Sequence, residues 1–338
     1  MKQNQPKNIL IINLKYLGDL IVSTAAIRAI KQSFPESVIT LLVRSEYKDV
    51  LSGNKNIDGI ITYDLSIKKM RGWEKLKTEF RFVKYLRSKK FDAVISLQAG
   101  DRYVFWSFFS GAKVRVAPIE NNFGFLLTTK AKVFEEKISY LDYYLKIAEA
   151  FGAEIATKEL DFTPDEKHRN WVEEFLFTKE ISPQDKIIGI HPGASEPTKM
   201  WPIENYLQLV DIISKDVNTK VILFLGPMEK KKSIFNDVLK NKVVVADTSE
   251  SIQHLAWLLS KCGLLICNDS GARHLAAALK TPTITLFPDD KIIPWKFYTE
   301  EEKQFFILGK RNINNPDKPF LDSITVEDVF HKVKEILS

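Results

Sequence analysis

Apolar and polar positions alternate along this chain with two periods, and the change from one to the other marks out strands and helices in turn. "NILIINL", starting at Asn8, is a short unbroken apolar run and predicts a buried strand. Leu20, Ile27, Ile30 and Phe34 then recur at helical spacing, which predicts a helix from about Gly18 to Ser33. "SVITLLV", a short helix near Tyr47, "IDGIITY", a Lys- and Arg-rich helical stretch, "FDAVISLQ", the aromatic "RYVFWSFF" and "AKVRVA" follow, and a helix over residues 140–151 closes this half.

Residues 178–186, "TKEISPQDK", replace periodicity with Pro and charge and predict a connector. The pattern then restarts. "IIGIH", "KVILFLG", "KVVVA", "LLICN" and "TPTITLF" are strand-like. Between them lie helical stretches over residues 203–215, 229–239, 248–260 and from Ala272, and "TVEDVFHKVKEIL" ends the chain as an amphipathic helix. Such alternation builds parallel sheets covered by helices. At 338 residues the chain exceeds the usual single domain, so the reading is α/β, with two Rossmann-like, doubly wound domains over 1–178 and 179–323.

Charge adds one feature. The formal net charge is +6, yet "IKKMRGWEKLKTEFRFVKYLRSKK", residues 67–90, carries ten Lys and Arg against two Glu, a local +8. Either this is a solvated helix face or, through Lys68, Lys69 and Arg71, a surface for an anionic acceptor or lipid headgroups. The two cysteines, Cys262 and Cys267, flank an apolar run and read as core thiols. No ligands stand at metal spacing, no nucleic-acid motif is present, and no run approaches the roughly 18 apolar residues of a membrane span. The short N-terminal apolar run, followed by Lys15, is no signal peptide, so a cytoplasmic protein is expected.

In doubly wound units, ligands bind beyond the carboxyl ends of the strands, so candidate chemistry is sought there. "LLICNDSGARHLAAAL" ends a strand in Asn268-Asp269-Ser270-Gly271 and opens a helix at once. Ser270 suits a helix cap, and Gly271 lets a phosphate approach the unpaired amides. His274, a turn inside, is either a packed histidine or a phosphate or sugar contact. "IGIHPGASEPTKMWP" offers Ser195, Thr198 and Lys199 after a strand, hydroxyls and an ammonium suited to a diphosphate, though without a Walker pattern. Glu229, in "FLGPMEK", is either a ribose contact or a first-turn helix residue. Asp19, after Gly18 at the first strand-to-helix turn, is either a cap or a reactive carboxylate; a Gly-x-Gly-x-x-Gly dinucleotide pattern is absent there.

In combination, "ILIINLKYLGDLIVSTAAIRAIKQSFP", "HPGASEPTKMWPIENYLQLV" and "CNDSGARHLAAALKTPTITLF" resemble the ADP-heptose:lipopolysaccharide heptosyltransferases, glycosyltransferase family 9, over nearly the whole chain. The resemblance implies a GT-B architecture, two Rossmann-like domains facing a central cleft, the first for the acceptor and the second for the nucleotide sugar, with helix 324–338 packing back on the first. It implies an inverting, metal-independent glycosyltransferase, with no resident cofactor, moving a heptose or related sugar from an ADP-sugar to a lipopolysaccharide inner-core acceptor. Asp19 then corresponds to the catalytic base, and Gly18 before it is counted among the nucleotide-sugar contacts. Ser195, Thr198 and Lys199 serve the diphosphate, Glu229 the nucleoside, and Asp269, Ser270, Gly271 and His274 the diphosphate and sugar. Peripheral contact with the inner face of the cytoplasmic membrane fits Lys68, Lys69 and Arg71; nucleic acid is not an expected partner. The sequence departs from the family pattern in "SGARH", which adds Arg273 beside the diphosphate loop, and in "LFPDDK", which removes a glycine. The alternatives are another GT-B nucleotide-sugar enzyme, such as an epimerase, or a non-catalytic nucleotide-binding protein.

Overall fold

The structure is a computed structural model that describes residues 5–120, 122–133, 138–216, 219–226, 243–288, 303–310 and 320–337. The chain forms two compact units, residues 1–161 and 162–338. In the first, β1 (Asn8–Ile12), β2 (Val38–Arg44), β3 (Gly59–Tyr63), β4 (Ala93–Ser96), β5 (Val114–Pro118) and β6 (Thr129–Ala131) form a sheet in the order β3-β2-β1-β4-β5-β6. Every described pairing in it is parallel. The central strands read as unbroken apolar runs because helices cover both faces. Ile9, Leu10, Ile11 and Ile12 of β1 are all fully buried.

The helices of this unit are α1 (Leu17–Val22), α2 (Thr24–Ser33), α3 (Gly72–Ser88), α4 (Asp101–Phe109) and α5 (Tyr140–Phe151). The single helix expected from Gly18 to Ser33 is broken at Ser23, whose hydroxyl donates back to Leu20 O (2.8 Å) and accepts from Asn13 Nδ2 (3.0 Å). Side-chain bonds of this kind compete with the helical ladder and turn it. α5 starts where the Ser139 hydroxyl accepts from Asp142 N and stops at Gly152, which takes a left-handed φ of 104°.

The second unit repeats the plan. β7 (Ile187–His191), β8 (Lys220–Leu225), β9 (Val244–Asp247), β10 (Leu264–Asn268), β11 (Thr283–Pro288) and β12 (Gln304–Gly309) run in the order β12-β11-β10-β7-β8-β9. Numbered within their own unit, both sheets read 3-2-1-4-5-6, with order reversing between β1 and β4 and between β7 and β10. Its described helices are α6 (Arg169–Thr178), α7 (Ile203–Asp216), α8 (Ile252–Leu259), α9 (Gly271–Ala278) and α10 (Val326–Leu337). Within β7, Gly189 is required by close packing: a Cβ there would stand 2.5 Å from Phe224 Cε2.

Two expectations change. The units divide at 161/162 rather than at 178/179, because residues 165–175 bind α8: Asp165 N donates to Gln253 Oε1 (3.0 Å), Trp257 Nε1 donates to Asp165 O (2.9 Å), and Trp171 stacks on His254 at 3.8 Å. The last helix, α10, lies in the second unit instead of on the first domain. Val326, Val329 and Val333 are buried in one core with Leu209 and Ile213 of α7. Cys262 and Cys267 are free and buried, as read from the sequence, and burial pushes both thiols up to about 12. The helical expectation over residues 229–239 lies outside the described residues.

One buried side chain joins the two strand ends at the reversal of the second sheet. Asn268, closing β10, is fully buried; its Nδ2 donates to Pro192 O (2.7 Å), and its Oδ1 accepts from Trp201 N (3.1 Å) and the Tyr206 hydroxyl (3.0 Å). Replacing it leaves several buried groups unpaired, each costing about 1–3 kcal/mol. Asn268→Leu is expected to lower stability by about 2–4 kcal/mol, read as a lower urea midpoint of the unit's unfolding transition.

Candidate active site

In the first unit the chain leaves β1 through a turn set by Asn13, whose Oδ1 accepts from Lys15 N (3.2 Å). Gly18 does not make this turn: it is buried within α1 and helical. Asp19 does not cap the helix either, because Tyr16 holds the cap position and no side chain bonds the first amides. Instead Asp19 Oδ1 accepts a 2.7 Å hydrogen bond from the Tyr144 hydroxyl of α5 and lies 3.4 Å from Lys15 Nζ. Among the described residues, its Oδ2 accepts no hydrogen bond. Asp19 is only 7% exposed.

The surroundings of this carboxylate are aromatic. The Lys15 ammonium stands 5.0, 5.4 and 5.7 Å from the ring centres of Tyr140, Tyr143 and Tyr144, in cation–π range. Burial, followed by the negative charge of Asp19, drives the Tyr144 hydroxyl well above the usual tyrosine value, so it stays a donor to Asp19. Across the sheet reversal, Gln98 follows β4. Its Oε1 accepts from Leu14 N (3.2 Å), while its buried Nε2 has no partner among the described residues. The arrangement is a fixed carboxylate with one free oxygen, and nearby, on the next strand end, an amide donor without a partner.

In the second unit β7 and β10 deliver two loops to the same place. Lys199, at the end of the short turn Pro197–Lys199, puts its Nζ 3.1 Å from Asp269 Oδ2. Ser270 occupies the cap position of α9, but its hydroxyl makes no cap bond; Ser270 Oγ is buried and unpartnered among the described residues. The expected capping role is therefore absent, and the helix start keeps both its free amides and an idle hydroxyl. With the positive end of α9 and the Lys199 ammonium, the groups gathered here are those that suit an anion. Ser195 and Thr198 lie exposed on the same loop.

Arg273 and His274 are both buried in the first turn of α9. Arg273 is 1% exposed, its Nη2 is 3.4 Å from Asp269 Oδ1, and its guanidinium sits 5.6 and 5.7 Å from the rings of Phe287 and Phe306. The added arginine thus faces Asp269 of the loop and two aromatic rings. His274 Nε2 lies 3.4 Å from Arg273 Nη2; burial first, then the charges of Arg273 and Lys199, hold the imidazole well below its usual pKa and neutral. Lys199, Asp269, Ser270, Gly271 and His274 are brought together within this unit. Glu229 and the last three residues of "LFPDDK" lie outside the described residues. Among the described residues no group of three or more His, Cys, Asp or Glu is placed to hold a metal ion.

Sequence reasoning missed Lys15, Tyr144 and Gln98. Lys15 and Gln98 carried one usable signal, their place just after a strand; Tyr144 carried none, being mid-helix and 125 residues from its partner.

Comparison with known proteins now bears on these two units. The family model Glycosyltransferase family 9 (heptosyltransferase) matches residues 79–317. Lipopolysaccharide heptosyltransferase 1 of Campylobacter coli is 28% identical, over 97% of this chain and 98% of its own. A crystal structure of the glycosyl transferase family 9 from Veillonella parvula DSM 2008 has a TM-score of 0.82 at 23% identity, covering 98% of this chain and 97% of that one. The Escherichia coli heptosyltransferase WaaC with ADP-2-deoxy-2-fluoro heptose has a TM-score of 0.75 at 17% identity, covering 97% and 99%. A family model spanning more than half of the chain, on two doubly wound units of matching fold, makes this chain a glycosyltransferase of the GT-B type that belongs to glycosyltransferase family 9, the heptosyltransferases.

Proposed function

We propose that this glycosyltransferase moves a heptose from ADP-heptose to a lipopolysaccharide inner-core acceptor on the cytoplasmic side of the membrane, inverting the anomeric carbon and using neither a metal ion nor a resident cofactor. The observation that carries the reading is the start of α9, where the idle Ser270 hydroxyl and open amides stand beside Lys199. That donor set suits a diphosphate, and a bound ADP-sugar would satisfy it. The WaaC structure holds an ADP-heptose analogue, which supports the same donor class here. Ser195, Thr198 and Glu229 are further donor contacts in this reading, and Lys68, Lys69 and Arg71 meet the anionic acceptor or lipid headgroups.

The chemistry follows from charge. The acceptor hydroxyl attacks the anomeric carbon on the face opposite the diphosphate. As the new carbon–oxygen bond forms, Asp19 Oδ2 takes the hydroxyl proton, and the electron pair of the breaking bond leaves with ADP. General-base help of this kind contributes about 10²–10⁴-fold. Tyr144 and Lys15 act on the other oxygen and hold the carboxylate in one orientation. Lys199 and the α9 amides stabilise the charge that grows on the departing phosphate, the task a divalent cation performs in metal-dependent enzymes.

The direct test is to incubate the protein with ADP-heptose and truncated lipopolysaccharide cores, with and without EDTA, and weigh the product. A core heavier by one heptose in both samples is expected; a mass unchanged while the donor is epimerised would overturn the assignment. Asp19→Asn should keep nucleotide affinity and lose transfer by about 10²-fold or more. Full turnover in that variant would remove the base from Asp19. In calorimetry ADP should bind more tightly than UDP or GDP, and Lys199→Ala should weaken ADP about tenfold or more, since a charge-assisted contact is lost.

A further inference from the structure

Helix α3 carries two apolar stripes, and the fold accounts for only one of them. Phe82 and Leu86 turn inward, Leu86 fully buried and Phe82 packed against the same core. Trp73, Leu76 and Phe80 recur at helical spacing on a different face and are 75%, 63% and 71% exposed. Opposite them, α4 presents Arg102, Phe105, Trp106 and Phe109, again one helical face. The two faces enclose a groove of about 920 Å³, lined also by Lys75, Lys77, Glu79 and Val83. This is the size of a small-molecule site.

The lining of the groove is almost wholly apolar, and the carboxylate of Glu79 within it is paired. Glu79 Oε1 accepts from the Tyr63 hydroxyl (2.6 Å) and pairs with Arg102 Nη2 (3.0 Å), and its Oε2 accepts from Trp106 Nε1 (3.0 Å). Arg102 Nη1, by contrast, is buried and has no partner among the described residues. Beyond the groove the aromatic surface continues: Phe123 stands 4.6 Å from Phe105 and 6.0 Å from Phe125, which is 74% exposed. An exposed apolar tract of this kind marks an interaction site.

Charge identifies the occupant. The segment holding α3 carries a local +8, so its partner is anionic as well as apolar. Basic residues around exposed Trp, Phe and Leu are the pattern of helices that lie in a membrane interface. Among the described residues no helix is long and apolar enough to cross a membrane. We propose that the α3–α4 groove takes an acyl chain of an anionic membrane phospholipid, with Trp73, Leu76 and Phe80 seated in the interface and Lys75 and Lys77 facing the headgroup oxygens. The proposal adds an acyl site to the anionic surface contact assigned above to Lys68, Lys69 and Arg71, and rests on that reading for bringing a bilayer to this face.

The test uses the full chain and vesicles of phosphatidylglycerol with phosphatidylethanolamine, and, separately, of phosphatidylcholine. Wild type should cosediment with the anionic vesicles and much less with phosphatidylcholine. Leu76→Asp with Phe80→Asp should lower that partitioning about tenfold or more, since each loses an apolar contact and gains a repelled charge. Both positions are exposed, so thermal unfolding and ADP affinity should stay at wild-type values. Phosphatidylglycerol brominated in mid-chain should quench tryptophan fluorescence, and Trp73→Phe should be quenched less. No binding by wild type, unchanged partitioning of the double variant, equal fluorescence with brominated and ordinary lipid, or a stable homodimer that the double variant dissociates would each overturn the proposal. Charge reversal of Lys68, Lys69 and Arg71 to Glu separates the two readings: wild-type partitioning there, with loss in the groove variant, removes the basic contact and keeps the acyl site.

Discussion

The second unit of this protein depends on one buried amide. Asn268 ends β10 at the reversal of strand order, and the same side chain holds the backbone of Pro192 and Trp201 and the hydroxyl of Tyr206. A sheet reversal makes adjacent strand ends diverge, which opens space for a ligand but leaves loops without neighbours. Asn268 supplies that neighbour from a position with no exposure. Its three hydrogen bonds fix the loop carrying Lys199 against the loop carrying Asp269. The 3.1 Å Lys199–Asp269 pair follows from that constraint.

Around this anchor the charges are graded by depth. Arg273, beneath the loop, balances Asp269 from the interior and lies against Phe287 and Phe306. Lys199 balances it from the more open side, with 19% of its side chain exposed. A carboxylate between two cations leaves a net positive environment at the start of α9, which the helix dipole reinforces. His274, kept neutral by burial and by these same cations, adds no charge beside Arg273. The first unit solves a different problem. It holds Asp19 by one oxygen, through Tyr144 and Lys15, and leaves the other oxygen without a hydrogen bond among the described residues.

Helix α3 shows a local rule broken where the fold has no need to break it. Trp73 and Phe80 on a solvent-facing stripe lower solubility and contribute nothing to the core. The inner stripe already supplies the packing, with Leu86 fully buried. An apolar stripe kept beside so many lysines and arginines is consistent with a surface that meets another apolar, anionic phase.

Much of this architecture was legible before any coordinates. The alternation of apolar runs and helical spacing yields two doubly wound units, because period and length distinguish buried parallel strands from covering helices. The loops after β7 and β10 stood out as candidate ligand loops because that topology leaves strand ends as the open places. What the sequence did not determine was pairing across distance. Tyr144 meets Asp19 across a separation of 125 positions, and Arg273 is buried against Asp269 and two aromatic rings. The division at 161/162, the seat of α10 and the outward face of α3 share this cause. Periodicity states that a helix has an apolar face, whereas only tertiary packing decides which neighbour, if any, covers it.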